Sequence, residues 1–466
     1  MKLKLSTITI ILIAISIAFL IIKIPQIGFR YGDENIYFYE ARLITQGQFP
    51  YQAFFFASPP MELLFLAGII AIFGFSVLAL KLFLLVIILG TAWLIFALVK
   101  KFKNQLAGLF AATLYLFSFL NLTTSDYYSG AQLTIFFFVL SLFLISIKKP
   151  AWAGVAAALS FFTRFYAAPL IFVLIIYVLI KEKKQFWKFI FSAGAVFVLV
   201  NAALILGFGQ NYFHDVFGYN IHKFEQLEKL RVFRFFVKWD IALLFFAALG
   251  AVIARPFNLM IVLGAAAAGF FLAFYPDIYY LYYNLLLPFL AMSAGLVLEH
   301  FFDSYSSKKL RHILKIMVII ILFAISGYNI YYYLRDHAGA ARIDYLPELN
   351  KFVTKNSTPQ DKIYGSFELA PLIAGATGRQ IVGNFIDTNN KTFSTGLYKL
   401  PEREKFLIDE KVKFIITKVL VNEEGYLVEL GDYISLDFLK DNCQTVKQFP
   451  IYKDYYSNLT LIWKCF

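Results

Sequence analysis

Eight stretches of this chain run for the depth of a bilayer with almost no charge: residues 5–22, 82–99, 105–125, 127–147, 189–213, 256–276, 278–298 and 316–334. A backbone in hydrocarbon finds no water to bond, so each such stretch has to close its own hydrogen bonds as a helix. Three shorter apolar runs, 151–163, 165–180 and 241–254, fit short, tilted or broken spans. The expectation is a polytopic α-helical membrane protein with about eleven transmembrane helices. Composition agrees: of 466 residues, 60% are apolar, 19% aromatic and only 16% charged, which excludes an ordinary set of soluble domains.

The net charge of +13 does not make a nucleic-acid footprint, because the positives sit in short loops between apolar segments. Lys2 and Lys4, Lys100, Lys101 and Lys103, Lys148 and Lys149, Lys181, Lys183 and Lys184, Arg255, and Lys308, Lys309 and Arg311 fall at every second connection. That is the pattern of cytoplasmic loops. The N-terminus is then expected inside a plasma or inner membrane. Loops 25–60, 121–130, Arg164, 207–238 and 275–279, and everything from Arg335, are expected outside. Lys2 and Lys4 before an apolar run also fit a secretory signal peptide, but no small-residue cleavage site precedes Lys23-Ile24-Pro25, so an uncleaved first span is expected.

Near residue 340 charges become frequent and apolar runs shorten to strand length. Residues 362–367, 380–384 and 412–420 read as strands and 345–355, 368–376 and 401–410 as helices, with 445–449 and 459–465 as a terminal hairpin. This gives two domains: a membrane domain, 1–334, and a C-terminal extracytoplasmic α/β domain, 335–466. Cys443 and Cys465 both fall in that tail, where oxidation is permitted and a disulfide fits. Tripeptides of glycosylation type begin at Asn121, Asn356, Asn390 and Asn458.

Chemistry-bearing residues concentrate in the outer loops. Asp33 and Glu34 stand side by side just beyond the first span, and a carboxylate near hydrocarbon has to be paired, solvated or used. Residues 61–74, after Ser58-Pro59-Pro60, are apolar but too short to span, and read as a helix lying in the interface. The second long loop carries His214, Asp215, Asn220, His222, Lys223, Glu225, Arg231 and Arg234 among aromatics. Asp126 precedes the fourth long span, where it either caps the helix or joins a site. The chain has no Walker loop, HExxH, GxSxG or CxxC pair, so nucleotide hydrolysis, zinc proteolysis, ester hydrolysis and thiol redox chemistry have no motif behind them.

The order of these features resembles the GT-C membrane glycosyltransferases, in particular the group similar to dolichyl-phosphate-mannose protein mannosyltransferases and to the aminoarabinose transferases of lipid A. Asp33-Glu34, Gln48-Phe49-Pro50-Tyr51, Ser58-Pro59-Pro60, Asp126, Phe161-Phe162-Thr163-Arg164 and the run from Leu281-Tyr282-Tyr283-Asn284 to Pro288 carry it, in sequence, over residues 1–334. The resemblance implies transfer of a sugar, with inversion, from a polyprenyl- or dolichyl-phosphate donor to a glycan, lipid or protein acceptor at the outer face. It makes Asp33 the general base and Glu34 and Asp126 its companions. Arg164, His222, Lys223, Tyr282 and Tyr283 then become substrate-binding residues, with Arg164 and Tyr283 at the lipid phosphate. The chain departs from the family before the double proline, where Phe55, Phe56, Ala57 and Ser58 stand in place of an acid or lysine. The cofactor is left open, with Glu34, Asp126 and His222 the candidate ligands of a divalent cation.

Each assignment has a plainer alternative. Asp33 could cap the following helix, Glu34 could answer its dipole, Arg164 could snorkel to head groups, and the tyrosines near Tyr283 could form an interfacial belt. Rival functions are a polysaccharide polymerase or ligase and a flippase or transporter of lipid-linked sugars. Transport calls for charges at mid-membrane, and the spans carry almost none. The topology is checked by thiol labelling at a cysteine introduced near Gly365, which is expected to react in intact cells without permeabilisation.

Overall fold

Five helices among the described residues are long and apolar enough to cross a membrane, with windows at Thr7–Gln26, Val77–Phe102, Lys183–Phe208, Lys229–Val252 and Ile316–His337. Seven shorter apolar helices accompany them, among them Met61–Phe73, Gln105–Phe117, Ala131–Ser146 and Pro150–Thr163. The protein is a polytopic membrane protein. The computed structural model describes residues 7–223, 227–253, 258–303, 308–338, 343–421, 427–453 and 457–466; Lys2, Lys4, Glu225 and Arg255 lie outside them. The chain forms two compact units.

The first unit comprises Met1–Ile27, Lys81–Ala203 and Phe224–Ala338. Its short helices are its most buried ones: ten residues of Gln105–Phe117 and twelve of Ala131–Ser146 are buried, whereas Lys183–Phe208 is largely exposed along its apolar surface. Close approach rests on small residues, as expected where lipid offers no hydrophobic drive between helices. A Cβ added at Gly295 would meet the Ala107 carbonyl oxygen at 2.7 Å and the Ala111 Cβ at 2.8 Å.

The expected single span over 105–125 is broken. The helix Gln105–Phe117 stops at Ser118, whose backbone is extended, and a six-residue helix, Phe119–Thr124, follows. Side chains bond five of the backbone groups around the break. The Asp240 carboxylate accepts from the Phe119 and Leu120 amides at 2.8 and 2.9 Å. Ser118 Oγ accepts from the Asn121 amide at 3.2 Å, Asn121 Nδ2 donates to the Leu116 carbonyl, and Asn329 Nδ2 donates to that of Phe117. Hydropathy cannot register such a break, because the residues flanking it are as apolar as a continuous span.

At the end of the helix Thr7–Lys23, the fully buried Lys23 ammonium donates to Asp126 Oδ1 at 2.7 Å and to the Leu122 carbonyl and the Tyr333 hydroxyl at 2.6 Å each. Three distant parts of the chain meet at one cation.

The second unit comprises Gly28–Leu80, Leu204–Lys223 and Gly339–Phe466, so that both long loops fold with the tail. The tail holds a six-stranded sheet: β1 (Lys362–Gly365), β2 (Gln380–Ile381), β3 (Phe414–Val421), β4 (Leu427–Leu430), β5 (Gln444–Lys453) and β6 (Ser457–Lys464). The order is β2-β1-β3-β6-β5, with β4 also on β3. The β1 pairings are parallel, and β3, β4, β5 and β6 pair antiparallel. The strand expected over 380–384 ends early because Gly383 and Asn384 take positive φ, 57° and 51°. β4 was not expected. One face packs Tyr364, Val382, Leu407, Ile415, Tyr433 and Phe438 into a core, and Cys443 and Cys465 form a disulfide with Cα atoms 4.1 Å apart.

The first loop is bolted to this domain through main-chain groups. Tyr39 OH accepts from the Ile381 amide at 3.1 Å, Arg42 donates to the carbonyls of Ala374 and Gly375, and Asn35 Nδ2 donates to the Glu368 carbonyl at 2.7 Å.

Lys23→Met leaves the Asp126 carboxylate buried without its cation, and is expected to destabilise the detergent-solubilised protein by roughly 3–5 kcal/mol. A double variant, Lys23→Met with Asp126→Leu, recovers much of that loss. Unfolding curves of both variants check it, and equal stability of wild type and single variant removes the ion pair from the account.

Candidate active site

In the sheet-bearing unit, Asp33 immediately precedes the helix Glu34–Thr45 with helical backbone angles, and its side chain makes no capping hydrogen bond. The plain reading of a capping residue therefore does not describe it. Glu34 next to it is fully buried, as are Glu40 and Glu62, while Asp33 itself is only part-buried.

The tail brings a second carboxylate to Asp33. Burial, and next the negative charge of Asp33, push the Asp387 carboxyl up to about 6, against the lowering effects of the Asn389 amide, Lys223 and Lys391. Asp387 Oδ1 accepts from that Asn389 amide at 3.1 Å. Two carboxylates and two ammonium groups thus share one locality, drawn from the first loop, the second loop and the tail. Asp387 and Lys391 had no sequence signal: Asp387-Thr388-Asn389-Asn390 reads as turn chemistry, which it also is, with Asn389 capping Lys391.

The second loop brings Asp215, whose carboxyl burial raises, with His214 and the Phe56 amide pulling it back. Its oxygens lie 3.2 Å from His214 Nδ1 and 3.4 Å from the Phe56 nitrogen. Asn220 Nδ2 donates to the Ala57 carbonyl at 2.7 Å, which holds the second loop against the segment before the double proline. His222 is exposed, with Nδ1 2.8 Å from the Gly218 carbonyl, so that this nitrogen carries the proton. Lys223 Nζ lies 5.2 Å from the centre of the Tyr219 ring.

In the helical unit, Arg164 is buried and extended at the junction between Pro150–Thr163 and the turn Phe165–Ala167. It lies among aromatics: Tyr166 and Tyr282 are 5.5 Å apart, Tyr275 and Tyr282 6.1 Å. The charges of Asp277 and Arg164 both act on Tyr275, whose phenol is raised chiefly by burial. Tyr282 belongs to this group. Tyr283 stacks on Phe236 at 4.6 Å. Asp126 is engaged with Lys23 and does not cap the next helix, whose first turn follows Gly130.

For a divalent cation the donors do not fit. Among the described residues no three His, Cys, Asp or Glu side chains converge as ligands. Asp126 holds an ammonium, and one nitrogen of His222 is committed to the backbone.

Residues 57–206 match the dolichyl-phosphate-mannose-protein mannosyltransferase family. No curated protein matches the chain. Among solved structures, apo ArnT from Cupriavidus metallidurans superposes with a TM-score of 0.71 at 10% identity, over 98% of each chain. The same protein bound to undecaprenyl phosphate gives 0.66 at 11%, over 97% of each. The oligosaccharyltransferase AglB from Archaeoglobus fulgidus, in complex with an inhibitory peptide and a dolichol-phosphate, gives 0.58 at 12%, over 95% of this chain and 80% of that one. The archaeal enzyme is also known in complex with Zn and sulfate, with a TM-score of 0.59 at 14% identity, over 92% and 74%. A mannosyltransferase family thus matches residues 57–206 of the chain, and over nearly its whole length the chain is similar in fold to ArnT.

Proposed function

We propose that the protein transfers a sugar from a polyprenyl- or dolichyl-phosphate carrier to an acceptor hydroxyl at the outer face of the membrane, with inversion. The observation that carries the reading is the Asp33 carboxylate. It is part-buried at a helix start, makes no capping bond, and lies in the field of a second carboxylate. The structures of similar fold that hold undecaprenyl phosphate and dolichol-phosphate support the donor class. The orientation with about eleven spans, an inner N-terminus and an outer tail belongs to the same proposal.

An alcohol is a weak nucleophile, so its proton must leave as the new bond forms. Asp33 takes that proton. The acceptor oxygen bonds to the anomeric carbon from the face opposite the carrier, the bond from that carbon to the phosphate oxygen breaks, and its electron pair stays on the lipid phosphate. The leaving charge needs a cation, and Arg164, with donors fixed in a planar fork, holds it. Tyr282 packs against Tyr166 and Tyr275, the second of which feels the Arg164 charge, and helps to frame the carrier. No step is assigned to a metal.

Asp33→Asn keeps the shape and removes the proton acceptor, so turnover is expected to fall by about 10²-fold or more with donor binding nearly unchanged. Arg164→Ala is expected to lose most activity, while Arg164→Lys keeps part of it, supplying a cation without the fork. Transfer from a polyprenyl-phosphate sugar by the purified proteins, with and without a chelator, measures all of these. Undiminished turnover in Asp33→Asn would defeat the base assignment.

A further inference from the structure

The second loop begins where a helix of spanning length ends. Lys183–Phe208 is one of the five helices long and apolar enough to cross a membrane, and it stops at Gly209, where φ of 57° and ψ of −132° turn the chain. At about 1.5 Å per residue, its 26 residues cover more than the roughly 30 Å of a hydrocarbon core, so Gly209 stands at the bilayer edge. Residues 210–221 beyond it are helical throughout.

The side chains of 210–221 sort into two faces. Tyr212, Asp215, Val216 and Tyr219 are buried. Tyr212 packs on Tyr51 at 5.2 Å and Tyr219 on Phe55 at 4.9 Å, Asp215 lies 3.4 Å from the Phe56 nitrogen, and Asn220 donates to the Ala57 carbonyl at 2.7 Å. Away from that face, Phe213, Phe217 and Ile221 are 47%, 40% and 78% exposed. Their spacing of four places them in one stripe along a helix. The rings of Phe213 and Phe217 are 6.0 Å apart, so the patch is continuous. Within 210–221 the one carboxylate, Asp215, is on the buried face, and no lysine, arginine or acid is exposed.

Two arguments name what covers the stripe. Apolar exposure runs into it from the last turn of the preceding helix, where Leu206 is 88% exposed, so the stripe continues the surface that a spanning helix turns to lipid. A second copy of the chain would need roughly 800 Å² from each partner. Aromatic side chains bury only about 150–250 Å² each, so two half-covered rings and one isoleucine fall far short.

We propose that Phe213, Phe217 and Ile221 rest in the interfacial layer of the bilayer, making 210–221 an interfacial helix with phospholipid under one face and residues 51–57 held on the other. The membrane surface then bears on Phe56 and Ala57 through Asp215 and Asn220. This surface depends neither on the Asp33 step nor on the donor.

Both cysteines of the chain are tied in the disulfide, so single introduced cysteines can be spin-labelled in the full-length protein. The test places labels at Phe213→Cys, Phe217→Cys and Ile221→Cys, in nanodiscs of phosphatidylcholine and phosphatidylglycerol. Power saturation reads their collisions with oxygen and with a water-soluble nickel chelate. Val198→Cys, at an exposed position within the spanning helix, gives the lipid reference, and Lys355→Cys, exposed on the tail, gives the aqueous one. Unfolding curves matching wild type show which labelled variants are folded. The three labels are expected to favour oxygen over nickel, shifted from the Lys355 value towards that of Val198. Nickel-dominated collisions in the folded variants overturn the proposal, because the face then lies in water. Few collisions with either reagent overturn it too, since protein then covers the face, and dipolar broadening between labels identifies that cover as a second copy. Oxygen collisions that vanish when polyprenyl phosphate is added overturn it in favour of the carrier's chain. Loss of the base assignment through full turnover in Asp33→Asn leaves the collision result standing.

Discussion

The helical unit depends on the bonding of backbone groups that no water reaches. A break in a membrane-embedded helix exposes amides and carbonyls, each costly in an apolar medium, so it persists only where side chains take them up. At Ser118 the carboxylate of Asp240 takes two amides at once, and two asparagines take the carbonyls of Leu116 and Phe117. Asp240 interrupts its own helix, with φ of −109° and ψ of 24°. One acid therefore fixes two irregularities. Short, buried helices can occupy this unit because such polar bolts replace the continuous ladder of a full span.

The Lys23 cluster follows the same logic at a helix end. An ammonium removed from water needs all three of its protons placed, and Asp126, Leu122 and Tyr333 place them. That accounts for Asp126 without assigning it chemistry. It also explains why a reading by sequence order groups Asp126 with Asp33: both are acids beside a span, and only the partner across 103 residues of chain separates their roles.

Legibility in the sequence tracked the range of the interactions responsible. The five long apolar helices, the helix Met61–Phe73, the helices Leu346–Asn356, Ala370–Thr377 and Leu400–Asp409, and the hairpin of β5 and β6 follow from local periodicity. The break at Ser118 was illegible because its cause lies more than a hundred residues away. β4 is four residues long and pairs with β3 alone, too brief to register as a strand pattern. Of the candidate site, Asp33, Lys223 and Arg164 announced themselves as charges beside apolar segments. Asp387 and Lys391 did not, since in a polar tail a charged residue is the ordinary case.

Burial sorts the acids by what each can do. Asp126 and Asp240 are wholly buried and committed, one to an ammonium and one to two amides, so a proton placed on either would break bonds that hold the helices. A base must instead gain and lose a proton without such a loss, and must meet both an acceptor and bulk water. Asp33 and Asp387 are part-buried, and the Asp33 charge reduces the preference of Asp387 for its charged form. Lys223 and Lys391 act the other way on Asp387 and favour its charged form. Because Asp33 comes from the first loop and Asp387 from the tail, the raised proton affinity of Asp387 depends in part on the tail being folded against that loop. The bonds of Asn35, Tyr39 and Arg42 to tail main chain provide that dependence, and they tie the first loop and the sheet domain into one compact unit.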